Sequence, residues 1–144
     1  MSDLSLDPVD WLPHRAPFLF LDVMTNIEPG VRASGTWTLS GDEWFFPGHF
    51  PGRPTMPGVL LLESIAQCGA VVILSEPKYA GRLPLFGGVE HARFRRQVLP
   101  GETVTLECEI TRLSARGGKG QGRATVEGQL AVESDLFFIL ADAQ

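Results

Sequence analysis

Residues Gly58 to Ser75, GVLLLESIAQCGAVVILS, carry apolar side chains on every side of a helical wheel. Leu60, Leu61, Leu62, Ile65, Ala66, Val71, Val72, Ile73 and Leu74 leave no polar stripe, while Pro57 and Pro77 punctuate the two ends. Proline is harmless in the first turn of a helix, where its missing N–H has no partner anyway, and it ends a helix further along. A helix with no polar face must be buried on all sides. The rest of the chain has to wrap it.

That remainder is strand-like. Residues 17–24 (PFLFLDVM) and 31–39 (VRASGTWTL) read as strands joined by a turn around Glu28-Pro29-Gly30. Residues 83–98 alternate in character with an interruption at Gly87-Gly88. From Thr103 to Ser114, Val104, Leu106, Cys108 and Ile110 alternate with Thr103, Thr105, Glu107 and Glu109. Residues 119–127 and 129–141 flank a hairpin turn at Glu127-Gly128. Short connections favour antiparallel pairing. The fold class expected is α+β: about six strands in a curved antiparallel sheet, wrapped around one long buried central helix. A length of 144 residues without repeat or linker makes residues 1–144 a single domain.

Composition narrows the class of function. Lys and Arg number 12 against 17 Asp and Glu, a net charge of −5, which argues against a nucleic-acid protein. No apolar run approaches the roughly 18 residues of a membrane span, so no membrane insertion is expected. The opening MSDLSLDPVDWLPHR has acids where a secretion signal needs a basic and then an apolar region. Cys68 and Cys108 each lie in an apolar segment without metal-ligand spacing, as reduced thiols of a cytoplasmic protein do.

Two residues stand out as chemistry. Glu63 is a carboxylate among Leu60, Leu62 and Ile65, and burial without a partner costs several kcal/mol unless the group is protonated. The same burial raises its pKa, as a general acid near neutral pH requires. Gln67, four residues on, reaches the same face and can orient the carboxyl group. His49 lies in a long loop, Ser40 to Thr55, dense in proline, glycine and aromatics. Pro47-Gly48 and Pro51-Gly52 fix the chain on both sides of it and pre-organise the ring.

The block FFPGHFPGRPTMPGVLLLESIAQ (45–67) resembles the signature of the hotdog-fold (3R)-hydroxyacyl-[acyl-carrier-protein] dehydratases of the FabZ type. LPHRAPFLFLD (12–22), GGVEHARFRRQVLPGE (87–102) and GKGQGRATVEGQLAVESDLFF (118–138) extend the likeness in order along the chain. The resemblance implies the hotdog fold, with His49 and Glu63 as the catalytic pair. It implies that Gly58 is the backbone donor to the substrate carbonyl, with Gln67, Phe50 and Val59 beside the substrate. The sequence departs from the family's habit at Asp42, Trp44 and Leu85. His14, in the opening motif, is expected to be structural or to stand at the entrance, with no catalytic role.

The implied reaction suits these residues: neutral His49 takes the C2 proton of a 3-hydroxyacyl thioester, and protonated Glu63 protonates the departing hydroxide. No metal, nicotinamide or flavin is needed, and the glycine-rich stretches match neither dinucleotide nor phosphate-loop spacing. The substrate would arrive on the phosphopantetheine arm of acyl carrier protein. Arg93, Arg95 and Arg96 form a basic run where that acidic partner could dock. Strand alternation would place Arg93 and Arg95 on one face and Arg96 on the other. The family also implies a homodimer or trimer of dimers, with His and Glu of one site drawn from different subunits. Two other readings compete: a hotdog acyl-thioesterase, and a non-catalytic hotdog subunit that binds acyl chains.

Overall fold

The computed structural model describes residues 3–142; residues 1–2 and 143–144 of the expected domain lie outside it. Strands β1 (Val23–Glu28) and β2 (Arg32–Thr38) precede helix α1 (Gly58–Leu74), and β3 (Leu83–Phe94), β4 (Thr103–Ser114), β5 (Gly117–Val126) and β6 (Gln129–Ala141) follow it. They form one sheet in the order β1-β2-β4-β5-β6-β3, every neighbour antiparallel. This is the hotdog arrangement expected from the sequence.

The sheet grips the helix through period-2 alternation. On β4, Val104, Leu106, Cys108 and Ile110 are buried, facing a helix whose Ile65, Cys68, Val71, Val72 and Ile73 are fully buried. Each such aliphatic side chain contributes about 1.5–3 kcal/mol when removed from water. Helix and sheet meet so closely at β5 that a Cβ on Gly122 would collide with Ile65. The β5–β6 hairpin closes through Glu127 and Gly128 with φ of 49° and 79°, the two left-handed residues of a type I′ turn.

Three expectations need correction. The first strand begins at Val23, not at residue 17. The backbone of the preceding stretch is engaged by the helix instead: Phe20 N–H donates to Gln67 Oε1 (2.8 Å), Ser64 Oγ donates to Phe20 O (2.7 Å), and Gln67 Nε2 donates to Phe18 O (3.1 Å). Strand β3 runs through Gly87-Gly88 with a shifted register and stops at Phe94, short of residue 98. Finally, α1 is buried throughout only from Ser64 to Leu74; Val59, on its first turn, is 68 % exposed.

Both cysteines are buried free thiols, and burial pushes Cys68 well above the usual thiol range and Cys108 up to about 12. Among the described residues no helix is long and apolar enough to cross a membrane.

Candidate active site

Glu63 sits where the exposed start of α1 gives way to its buried part, with its side chain 18 % exposed. Gln67 Nε2 donates to Glu63 Oε2 at 3.0 Å. The Gln67 amide is itself fixed by Phe18 O and Phe20 N–H, so the carboxyl group is referenced to the entering chain as well as to its own helix. Burial pushes the Glu63 acid above the usual glutamate range, and the Gln67 hydrogen bond offsets only part of that. A raised pKa suits a carboxylic acid to proton donation.

Glu63 borders a cavity of about 30 Å³ lined by His14, Ala66, Ala70, Pro84, Phe86 and Phe138. Sequence reasoning missed that His14 belongs here: its Nε2 lies 3.6 Å from Glu63 Oε2. Only the histidine in the opening LPHRAP segment hinted at it, and nothing local shows that this segment folds back over α1.

His49 is built separately. Its N–H donates to Phe46 O (3.1 Å), its carbonyl accepts from Thr55 N–H (2.8 Å), and Phe50 and Arg53 exchange two backbone bonds across the tip. Gly52, with φ of 73°, makes the tight return. The peptide bond between His49 and Phe50 is cis. His49 Nδ1 is 2.7 Å from Thr55 O. A carbonyl can only accept, so Nδ1 carries the proton and Nε2 of the neutral ring offers its lone pair, which defines a base. Phe50, 52 % exposed, stacks on the imidazole at 4.1 Å between centroids.

Gly58 and Val59 open the helix. Leu60 and Leu61 N–H both turn back to Pro57 O, and the first N–H groups of any helix have no partner within it. No side chain caps this end and no acid lies in its first turn, so no side chain of the helix offsets the positive end of its dipole. A Cβ on Gly58 would come within 2.6 Å of the Phe94 ring, so only glycine admits the end of β3 here.

The structure thus brings Glu63 and Gln67 together and adds His14. It leaves His49 and Phe50 in their own loop, and His49 does not line the Glu63 cavity. The basic run is not the free strand face expected from alternation. β3 ends at Phe94 and its register shifts between Glu90 and Arg93, so Arg95 and Arg96 follow no strand period. Arg95 pairs with Glu133 (2.6 Å) and Arg96 with Glu102 (2.8 Å), which cancels their charge locally. Arg93 is exposed, and its Nη1 donates only to its own neighbour's carbonyl, Ala92 O.

Fold and acid together define a hotdog-fold protein with a part-buried carboxyl group, held by Gln67, on its central helix. The chain belongs to the FabA-like family, whose domain matches residues 12–135. A 3-hydroxyacyl-[acyl-carrier-protein] dehydratase FabZ from Moorella thermoacetica is 52 % identical over 140 residues, covering 93 % of this chain and 98 % of that protein. A second FabZ dehydratase, from Chloroflexus aggregans, is 53 % identical over 131 residues, 91 % of either chain. The solved dehydratase heterocomplex ApeI:P from Xenorhabdus doucetiae shares the fold, with a TM-score of 0.83 at 21 % identity over 96 % of this chain and 93 % of that one. Among the described residues no cluster of His, Cys, Asp and Glu could hold a metal ion.

Proposed function

We propose that residues 1–144 form one dehydratase domain that converts (3R)-3-hydroxyacyl thioesters on acyl carrier protein into trans-2-enoyl thioesters. The observation that carries this reading is Glu63: an acid on the central helix whose pKa burial raises and whose carboxyl group Gln67 aims. The named activity of relatives about half identical over nine-tenths of the chain supports it.

His49 Nε2 removes the C2 proton, which the thioester carbonyl acidifies. Electron density moves to the thioester oxygen, where the Gly58 N–H and the helix dipole stabilise the developing enolate. Glu63 gives its proton to the C3 hydroxyl, the C3–O bond breaks, and water leaves as the C2–C3 double bond forms. Proton return from His49 to Glu63 through solvent resets the pair. The steps are two proton transfers and the departure of water, with no redox change overall, so the proposed chemistry calls on no flavin or nicotinamide. The expected setting is the cytoplasm, with acyl chains delivered on the carrier's phosphopantetheine arm.

The unit of function is at least a dimer. A 30 Å³ cavity has room for little more than one water, so an acyl chain needs walls from elsewhere. Edge strand β3 exposes Leu85, Phe86, Val89 and Phe94, and Phe50 and Val59 expose further apolar surface. A second copy pairing along β3 would cover this edge and could bring the partner's loop histidine to Glu63. Phe50 and Val59 would then line the substrate path.

Absorbance of the enoyl thioester, followed with crotonyl and 3-hydroxybutyryl thioesters, tests the activity. Reversible hydration and dehydration are expected. Release of free thiol would replace this reading with a thioesterase, and no reaction with any acyl thioester would leave an acyl-binding subunit.

A further inference from the structure

His14 and Glu63 are 49 positions apart in the sequence, yet their side chains meet at one small cavity. His14 Nε2 faces Glu63 Oε2 at 3.6 Å, the same oxygen that accepts the Gln67 amide at 3.0 Å. The other imidazole nitrogen, Nδ1, is buried and finds no hydrogen-bond partner among the described residues. A buried orphan N–H is harder to tolerate than an orphan lone pair, which assigns the ring proton to Nε2, toward the carboxyl group. Two N–H groups therefore point at Oε2, and none of the described contacts engages Oε1.

We propose that His14 is a positioning residue for Glu63: with Gln67 it holds Oε2 as the accepting oxygen, so that Oε1 carries the proton given to the substrate. This deepens the dehydratase reading and rests on it. When the Oε1–H bond breaks and its proton passes to the leaving hydroxyl, the new negative charge spreads to Oε2, where both donors wait. The gap of 3.6 Å is longer than a hydrogen bond and can close as that charge appears. His14 keeps its own proton throughout.

The cavity itself brings no further titratable group against this pair. The cavity's remaining walls are Ala66 and Ala70 from α1, Pro84 and Phe86 from β3, and Phe138 from β6, none of them titratable. Arg15 is the nearest cation in sequence, and its guanidinium folds back onto the carbonyls of Leu12 (2.7 Å) and His14 (2.6 Å). Burial, helped by the Arg15 charge, pushes the His14 imidazole below the usual histidine range, which favours the neutral ring. A neutral donor steadies the carboxylate as it forms without ionising the acid in advance.

The test compares His14→Phe, which fills the space without a donor, with His14→Gln, which restores an N–H. Two readouts are needed: kinetics with crotonyl thioester, and a carbon-13 NMR titration of the Glu63 carboxyl in the intact protein. In His14→Phe, kcat should fall roughly tenfold with KM little changed, the loss of one hydrogen bond to a charged group. The carboxyl titration and the alkaline limb of the rate profile should both move to higher pH, because the ionised form has lost a donor. His14→Gln should recover most of both. A kcat loss with an unmoved titration would reduce His14 to a packing residue and overturn the proposal, as would full activity in His14→Phe. If Phe is not tolerated, nitrogen-15 shifts of the wild-type ring decide: a proton on Nε2 supports the assignment, and one on Nδ1 overturns it. An inactive wild type whose carboxyl titration still responds to His14 would sink the dehydratase reading alone.

Discussion

Gln67 donates to Glu63 Oε2 at 3.0 Å while its own Oε1 accepts the Phe20 N–H at 2.8 Å, so one buried amide ties the acid to the chain that enters β1. Replacing Gln67 with Leu should leave the Phe20 N–H buried and unpaired, at a cost of about 1–3 kcal/mol. Denaturant unfolding should show that loss. The same variant should lower kcat more than it raises KM, because the acid loses its aim and the bond that favours its ionised form. A Leu variant as stable and active as wild type would remove the amide from the argument.

His49→Ala and Glu63→Gln should each abolish turnover while circular dichroism stays native. General acid–base catalysis is worth ~10²–10⁴-fold per group, so either variant retaining more than about a tenth of the rate has lost nothing essential. The double variant should be little worse than either single one, since both groups serve one transition state.

The Glu63 acid also predicts a pH dependence of stability. Burial raises its pKa in the folded state above the ordinary 4.5, so above that value the native state binds more protons than the unfolded one. Stability then falls as pH rises from 4.5 through the folded-state pKa. Glu63→Gln removes this liability, so its advantage over wild type should grow across that window and then level off. Taking the difference between the two proteins cancels the opposite trend from His14, whose pKa is lowered. A difference that stays flat with pH would mean that Glu63 is not buried in solution.

Mixing the two single variants tests whether sites are shared between subunits. If His49 and Glu63 of one site come from different copies, each mixed dimer regains one intact site and random reassortment restores about a quarter of wild-type activity. Mixtures that remain inactive after verified subunit exchange would show that each site is built within one chain.

What the sequence made legible follows from short-range physics. The mostly apolar run at 58–75, the alternation on β4 and the Glu127-Gly128 turn each dictate local structure, and helix, strand and turn all appear there. Glu63 and Gln67 were legible because four residues on a helix are neighbours. The misreadings are all long-range. PFLFLD has strand composition, but its backbone bonds go to Ser64 and Gln67, 44 and 47 residues away. His14 reaches Glu63 through the same fold-back, and no periodicity encodes it. The exposed turn at Val59 contradicts a helix buried all round, because the described strands leave the start of α1 uncovered.

For carrier docking, the three arginines are not equivalent. Arg95 and Arg96 present neutral ion pairs with Glu133 and Glu102, whereas Arg93 makes no salt bridge among the described residues. An acidic carrier steered by charge should therefore feel Arg93 most, chiefly through its association rate. Arg93→Glu is expected to raise KM for carrier-bound substrate several-fold and to flatten its dependence on salt. Arg95→Glu should do less to docking, and it should also set two carboxylates against each other at Glu133. Neither change should alter kcat/KM for a short pantetheine thioester, which bypasses docking. Equal losses on the two substrates would mean that Arg93 supports the fold or the site, and the basic run would then have no part in recognising the carrier.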